Sequence, residues 1–213
     1  MLARQLGQEP LHEWSRVLDL CTGSGLLAVV AAARARHGVV AVDISRRAVF
    51  AARVNATLNG VSVRAMRGDL FEPVGSARFD VIVSNPPYLP MSDRQLPRRG
   101  PSRAWEGGPH GRTFIDRICT QAPRHLRSGG TLLLVHSAVC GERETLAALS
   151  REGLQAGVVA RECGPLGPRL GARADWLFEQ GLLAADALEE ILVIRAQLPS
   201  AGTETRLARA ASG

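Results

Sequence analysis

Short, almost continuous apolar runs recur along this chain, and between them the apolar positions fall at helical spacing. The runs are SRVLDL (15–20), VVAVD (39–43), VSVRAM (61–66), FDVIV (79–83), GTLLLVHS (130–137), LQAGVVAREC (154–163) and EEILVIRAQ (189–197). Each predicts a strand. Segments 25–36, 45–60, 113–126 and 141–153 read as helices, the third despite Pro123. Ser45 is placed to cap the second helix and Asn59-Gly60 to end it. Strands that are apolar on both faces and separated by helices predict a mostly parallel sheet covered on both sides. The fold class is therefore α/β, a Rossmann-like sheet of seven strands. The last two strands are joined by residues 164–187, which lack the strand–helix rhythm and leave room for the final strand to enter antiparallel. One domain over 1–198 follows, with a small polar tail, 199–213, expected to be disordered.

Composition narrows the class without naming a function. The 213 residues are 46% hydrophobic and 22% charged, an ordinary globular balance. No apolar run approaches the roughly 20 residues of a membrane span, and the opening MLARQLGQEP lacks the apolar segment of a secretory signal. The expected compartment is the cytosol. Cys21, Cys119, Cys140 and Cys163 form no Cys-x-x-Cys pair, which predicts small buried hydrophobes rather than a metal site. All 26 basic residues are arginine, and the net charge is +6. A positive chain favours acidic partners, nucleic acid among them. The arginines are dispersed except at 92–103, SDRQLPRRGPSR, so the charge reads as a solvated surface rather than a binding stripe.

Candidate chemistry begins at DLCTGSGLLA (19–28). Gly23-Ser24-Gly25 after a strand allows a tight turn and a close approach to a ligand, at the start of a helix whose first N–H groups are unpaired. Gly23, Gly25 and Ala28, with Asp43 twenty residues after Gly23, also fit a dinucleotide fingerprint, which keeps a dehydrogenase open at this point. Asp19 argues the other way. A carboxylate before the glycines would repel a pyrophosphate, whereas it suits the cationic amino-acid head and sulfonium of S-adenosyl-L-methionine. In RGDLFEP (67–73), Asp69 offers an acceptor for an adenine amino group and Leu70 an apolar wall. Asp43 would accept from ribose hydroxyls. Three carboxylates after three successive strands favour the methyl-donor cofactor. The cofactor-binding set is Asp19, Cys21, Thr22, Gly23, Ser24, Gly25, Asp43, Ile44, Asp69, Leu70 and Asn85.

The fourth predicted strand ends in SNPPYLP (84–90). Two prolines remove two N–H donors and fix two φ angles, and they hold Asn85 extended. What remains is a stiff rim of carbonyls, one side-chain amide and one aromatic face. An amide or exocyclic-amine nitrogen is a poor nucleophile because its lone pair is delocalised. Two acceptors on its N–H bonds, the Asn85 side-chain oxygen and the Pro86 carbonyl, would orient it and stabilise the charge that grows on it. Tyr88 would pack on the flat group. Asn85, Pro86, Pro87 and Tyr88 are the candidate catalytic residues, with no strong general base required.

Together DLCTGSG, VVAVDIS, GDLFEP, FDVIVSNPPYLP and AWEGGPHGR resemble class I S-adenosylmethionine-dependent methyltransferases of the HemK type. The resemblance runs from about residue 15 to 197 and implies methylation of a glutamine side-chain amide in a translation release factor. Asn-Pro-Pro-Tyr is shared with enzymes that methylate adenine or guanine amino groups in DNA or RNA, so nucleic acid is the alternative substrate. Neither a basic stretch interleaved with aromatics nor an appended RNA-binding module favours it; aromatics are 4% of the chain. RAWEGGPHGRTFIDRI (103–118) is similar to the short branch of the family, which has no N-terminal helical domain, and in that branch this loop lies near the glutamine pocket. Trp105 is as readily core as contact. MLARQL resembles the end of an N-terminal helix that in this branch closes over the cofactor. The resemblance further implies a small activator protein on an exposed sheet edge, with VSVRAM as the candidate edge. His110, His12, His37 and His125 are expected in solvent, and His136 as a hydrogen-bonded core residue.

Overall fold

Seven strands form one sheet in the order β3-β2-β1-β4-β5-β7-β6 in a computed structural model that describes residues 1–93, 95–97, 100–184 and 187–200. They are β1 (Val17–Leu20), β2 (Val39–Asp43), β3 (Arg64–Arg67), β4 (Phe79–Ser84), β5 (Leu126–Ser137), β6 (Gln155–Gly164) and β7 (Glu189–Gln197). The pairs among β1 to β5 are parallel; β7 enters antiparallel between β5 and β6. The sequence predicted the mostly parallel sheet, because the central strands are apolar on both faces, and the antiparallel entry of the last strand.

Among the described residues seven α-helices surround the sheet: α1 (Leu2–Gln8), α2 (Leu26–Ala32), α3 (Arg46–Leu58), α4 (Thr113–His125), α5 (Glu142–Arg151), α6 (Pro168–Gly171) and α7 (Ala174–Glu179). Leu18, Leu20, Ile82, Leu132 and Leu134 cluster with Ile115 and Ile118 of α4 and Leu149 of α5 on one face. Val17, Ala41, Val83 and Leu133 cluster with residues of α1, α2 and α3 on the other. A fully buried leucine or isoleucine contributes about 1.5–3 kcal/mol by leaving water, so these two clusters carry the fold. The Ser45 hydroxyl accepts from the Ala48 N–H, as a cap should, and α3 ends just before Asn59-Gly60.

Several boundaries differ from the sequence reading. β3 starts three residues late because the Val61 N–H turns back to the Ala56 carbonyl, closing α3. α2 stops at Ala32, and Arg34 leaves it to donate to the carbonyls of Gly7, Glu9 and Leu11. α1 is thereby tied to the sheet's flank, and Glu9 pairs with Arg195 of β7 at 2.7 Å. β5 starts at Leu126, which pairs with Phe79. Cys163 is exposed on β6, against the expectation of a buried thiol; Cys119 and Cys140 are buried. His125 is half-buried rather than in solvent, its ring stacked on Phe71 with Nδ1 3.0 Å from the Ala77 carbonyl. His136 is buried, with Nδ1 2.8 Å from the Ser137 carbonyl. Among the described residues no helix is long and apolar enough to cross a membrane. The predicted tail beyond residue 200, and Arg94, Arg98 and Arg99 of the basic stretch, lie outside the described residues.

Candidate active site

The order of winding reverses between β1 and β4, the switch point outside which open α/β sheets bind ligands. Leu20 of β1 pairs with Val42 of β2 and with Ser84 of β4, and Val42 pairs with Met66 of β3. Cys21, Asp43, Arg67 and Asn85 therefore leave the sheet at one level. The register alone gathers the glycine loop, the second carboxylate, the Gly68-Asp69 turn and the Asn-Pro-Pro-Tyr rim.

Asp19 is fully buried. Its Oδ2 accepts from the Thr22 hydroxyl at 2.6 Å and from the Ala28 N–H in the first turn of α2 at 3.0 Å. Its Oδ1 has no partner among the described residues. A buried carboxylate oxygen without a donor is costly unless a ligand supplies one. Burial pushes this carboxyl up to about 7, and the nearby Asp43 adds to the effect. A cationic ligand bound by the ionised form must displace the proton. Affinity for S-adenosylmethionine is accordingly expected to fall about tenfold between pH 8 and pH 6. Calorimetry in two buffers of different ionisation heat would show proton release on binding near neutrality. The sign for folding is the opposite of the usual one. The folded chain holds this proton more tightly than the unfolded chain, so the group destabilises the empty protein as pH rises from about 4 to 7.

The glycine loop is braced rather than loose. Asp43 accepts from the Gly23 N–H at 3.0 Å and from the Ser45 N–H at 2.8 Å, so the expected ribose ligand also fixes the loop. Gly25 has φ +84°, and a Cβ there would lie 2.8 Å from Ala52, so this glycine serves helix packing. At Gly23 a Cβ would meet nothing within 4 Å. Cys21 and Leu70 are the two non-glycine residues at positive φ among the described residues, Cys21 directly after β1 and Leu70 in the turn that follows β3. Strain of this kind concentrates at functional sites. Ile44 is 39% exposed beside Asp43.

Two predicted adenine ligands stand differently from the expectation. The Leu70 side chain is buried in the core, leaving Ile44 as the apolar side chain open to solvent. Asp69 takes a bidentate ion pair from Arg117 of α4, at 3.2 and 2.9 Å. Each carboxylate oxygen keeps a further acceptor site, so an amino group can still donate to it. Arg117 has no signal in the sequence, because α4 meets the Asp69 turn only through the fold.

Asn85 is exposed, and its amide makes no hydrogen bond to a described residue. It lines a cavity of about 250 Å³ with Pro86, Tyr88, Leu89, Trp105 and residues 167–170. Tyr88 is held protonated, its hydroxyl pushed up to about 12 by burial and then by Glu189. The segment between β6 and β7, read from sequence as a mere connection, builds the outer wall. Leu170 and Leu177 of α6 and α7 are buried against Leu89. Arg173 donates to the Pro90 carbonyl and clamps Glu106, at 2.8 Å to its Oε2. Pro168 before Leu170, with Leu177 seven residues later, was the available signal.

The Trp-Glu-Gly-Gly loop backs the rim. Leu89 donates to the Trp105 carbonyl at 2.7 Å and accepts from the Gly107 N–H at 2.8 Å. Arg112 anchors the loop to the carbonyls of Cys140 and Gly141 and to Thr145. Gly111 has φ +70°, and a Cβ there would strike the Tyr88 carbonyl oxygen and come within 2.8 Å of the Cys140 sulfur. Gly111→Ala is therefore expected to cost about 1–3 kcal/mol of stability. It should also displace Tyr88, and a thermal melt paired with an activity assay checks both. His110, in the same loop, is exposed.

The methyltransferase small domain family model matches residues 1–96. A Methanocaldococcus jannaschii protein provisionally named a protein N5-glutamine methyltransferase is 37% identical over 145 residues, which is 68% of this chain and 73% of the relative. The chain belongs to the HemK-type methyltransferases. A release factor glutamine methyltransferase of Geobacter sulfurreducens is 40% identical over 144 residues, 64% of this chain, and the match spans half of that relative's length. Among solved structures, the E. cuniculi Mtq2–Trm112 complex, described as responsible for methylating the eRF1 translation termination factor, aligns with a TM-score of 0.62. It is 25% identical and covers 92% of each chain. HemK-type membership accounts for the pairing of a cofactor crevice after β1 to β3 with an Asn-Pro-Pro-Tyr rim after β4.

Proposed function

We propose that this chain transfers a methyl group from S-adenosylmethionine to the side-chain amide of a glutamine in a protein, a translation release factor. The observation that carries the reading is the exposed amide of Asn85, without a partner among the described residues, on the wall of a cavity at the carboxyl end of β4. That volume lies just below the roughly 300–1,000 Å³ of small-molecule sites and suits one side chain with its neighbour. The family relatives named for release factors support the substrate class.

The cofactor's sulfonium, when bound, supplies an electrophilic methyl group. The residues that would hold it fit its chemistry. The unpartnered oxygen of Asp19 accepts from the ammonium, Asp43 from the ribose, and Asp69 from the adenine amino group beside Ile44. Cys21, Thr22 and Ser24 shape the loop between Asp19 and Asp43, and Leu70 sets the turn after β3. On the other side, the Asn85 oxygen and the Pro86 carbonyl accept from the two N–H bonds of the substrate amide and turn its nitrogen toward the cofactor. Charge developing on that nitrogen is stabilised by the same two acceptors. The extra proton passes to solvent after transfer, and no side chain acts as base; Tyr88, with its raised pKa, packs on the amide plane.

A small activator protein is part of the proposal. β3 is an edge strand, and beside it Phe50, Val54 and Leu58 of α3 are exposed four residues apart along one face. An unpaired edge next to an apolar stripe is a liability for a lone chain and a fit for a partner strand. Gel filtration giving an active, cofactor-binding monomer would remove the activator from the account. Labelled methyl transfer into a cell lysate, divided between protease and nuclease, tests the substrate class. Label lost only to protease, in a band of release-factor size, is the expected result; label lost to nuclease overturns the reading.

A further inference from the structure

The rim after β4 is a span held at its two ends. At the first end Ser84 pairs with Leu20 and Leu134, and its hydroxyl donates to the Leu20 carbonyl at 2.9 Å. At the second end Leu89 exchanges backbone hydrogen bonds with the 105–107 loop, and the Met91 N–H donates to the Gly108 carbonyl at 3.1 Å. Between the ends the Cys140 thiol donates to the Tyr88 carbonyl at 3.0 Å. Pro86 and Pro87 have no N–H to add, and the Asn85 amide has no partner among the described residues. The two acceptors assigned to the substrate amide, the Asn85 oxygen and the Pro86 carbonyl, therefore stand where the ends of the span put them.

Arg173, at the start of α7, ties the second end to the opposite wall of the cavity. Its Nη1 donates to the Pro90 carbonyl and to Oε2 of Glu106, and its Nη2 donates to Oε1 of Glu106. Glu106 is buried and lies opposite Leu89, so one guanidinium grips both sides of the support behind the rim. The apolar contacts of Leu170 and Leu177 with Leu89 press the wall inward without fixing a direction; a charge-assisted fork on two acceptors does fix one. Arg173 is not among the residues that line the cavity beside Asn85, so its effect on the chemistry passes through the rim. Direction matters because transfer needs the reacting atoms about 3–3.5 Å apart and aligned, and a misplacement of about 1 Å can cost about 10²-fold. We propose that Arg173 is a positioning residue for methyl transfer, which sets the rim after β4 through Pro90 and Glu106 without touching the substrate. The proposal rests on the acceptor roles given to Asn85 and Pro86 and adds the group that holds them in place.

The test uses the full chain labelled with 3-fluorotyrosine. Tyr88 is its one tyrosine, so a single fluorine resonance reports the rim with no substrate present. Arg173→Met and Arg173→Lys are both expected to shift or split that resonance. With labelled S-adenosylmethionine and a purified translation release factor, Arg173→Met should lower kcat about 10–100-fold, while KM for the release factor and cofactor affinity stay within about threefold. The same change leaves Glu106 buried without its partner, so the thermal midpoint falls as well. Arg173→Lys separates the two effects. An ammonium restores a charge for Glu106 and with it most of the midpoint, but one nitrogen cannot stand where two do, and kcat should stay at least about fivefold low. If Arg173→Met does not fold, Arg173→Lys carries both readouts. A purely structural role predicts a kcat that returns together with the midpoint in Arg173→Lys, and that result overturns the proposal. So does a Tyr88 resonance unchanged in either variant, or a raised KM with kcat unchanged. No transfer to the release factor by the wild type would reject the glutamine reading, and the Tyr88 resonance would then decide alone whether Arg173 sets the rim.

Discussion

Asn85→Ala is expected to lower turnover by about 10²–10³-fold while affinity for S-adenosylmethionine stays within a few-fold. The split follows from position. Asn85 lies after β4 on the cavity rim, while the polar contacts that brace the cofactor side run among Asp19, Thr22, Gly23 and Asp43. Because the amide is exposed and has no partner among the described residues, its loss leaves no buried group unsatisfied, and the fold should be indifferent to it. Single-turnover rates beside cofactor titrations would separate the two effects. A variant that turns over normally would remove the acceptor role, and one that fails to bind cofactor would move Asn85 to the other side of the site.

Asp19→Asn carries the second large effect. Asparagine keeps an oxygen for the Thr22 hydroxyl and the Ala28 N–H, so the loop can hold its shape. It removes the charge proposed to face the cationic end of the cofactor and offers an N–H₂ where that proposal needs an acceptor. Cofactor affinity is expected to fall about 10–100-fold, since a hydrogen bond to a charged group is worth about 1.5–3 kcal/mol. The variant should also lose the pH dependence of binding between 6 and 8, because the group that titrates there is gone. Folding stability above pH 7 should rise rather than fall, as the buried charge no longer opposes folding. Retained affinity with the same pH profile would refute the role given to Asp19.

What was legible in the sequence was what local patterning controls. Apolar runs marked all seven strands, Ser45 and Asn59-Gly60 marked the bounds of α3, and the unbroken apolar character of GTLLLVHS marked β5 as central. The place of the glycine loop beside the Asn-Pro-Pro-Tyr rim was legible because a parallel sheet sets its strands' carboxyl ends at one level. What escaped was whatever depends on distant pairing. Arg117 reaches Asp69 across 48 residues, and Arg173 reaches Glu106 across 67. Residues 164–187 looked like a connector because α6 and α7 are short and their apolar residues are few. Their burial against Leu89 sets residues 167–170 on the wall of the cavity beside Asn85. Leu70 was misread for a related reason, since an apolar residue after a strand looks the same whether it faces a ligand or the core.

The central claim is methyl transfer to a glutamine side-chain amide, and peptide mass spectrometry tests it most directly. The chain would be incubated with isotope-labelled S-adenosylmethionine and a cell lysate, in parallel with Asn85→Ala, and the digested proteins sequenced for the site of label. The account predicts label on the side-chain nitrogen of a glutamine in a release factor, present with the wild type and absent with the variant. Label on lysine, arginine or a carboxyl group, or equal label with Asn85→Ala, would contradict it.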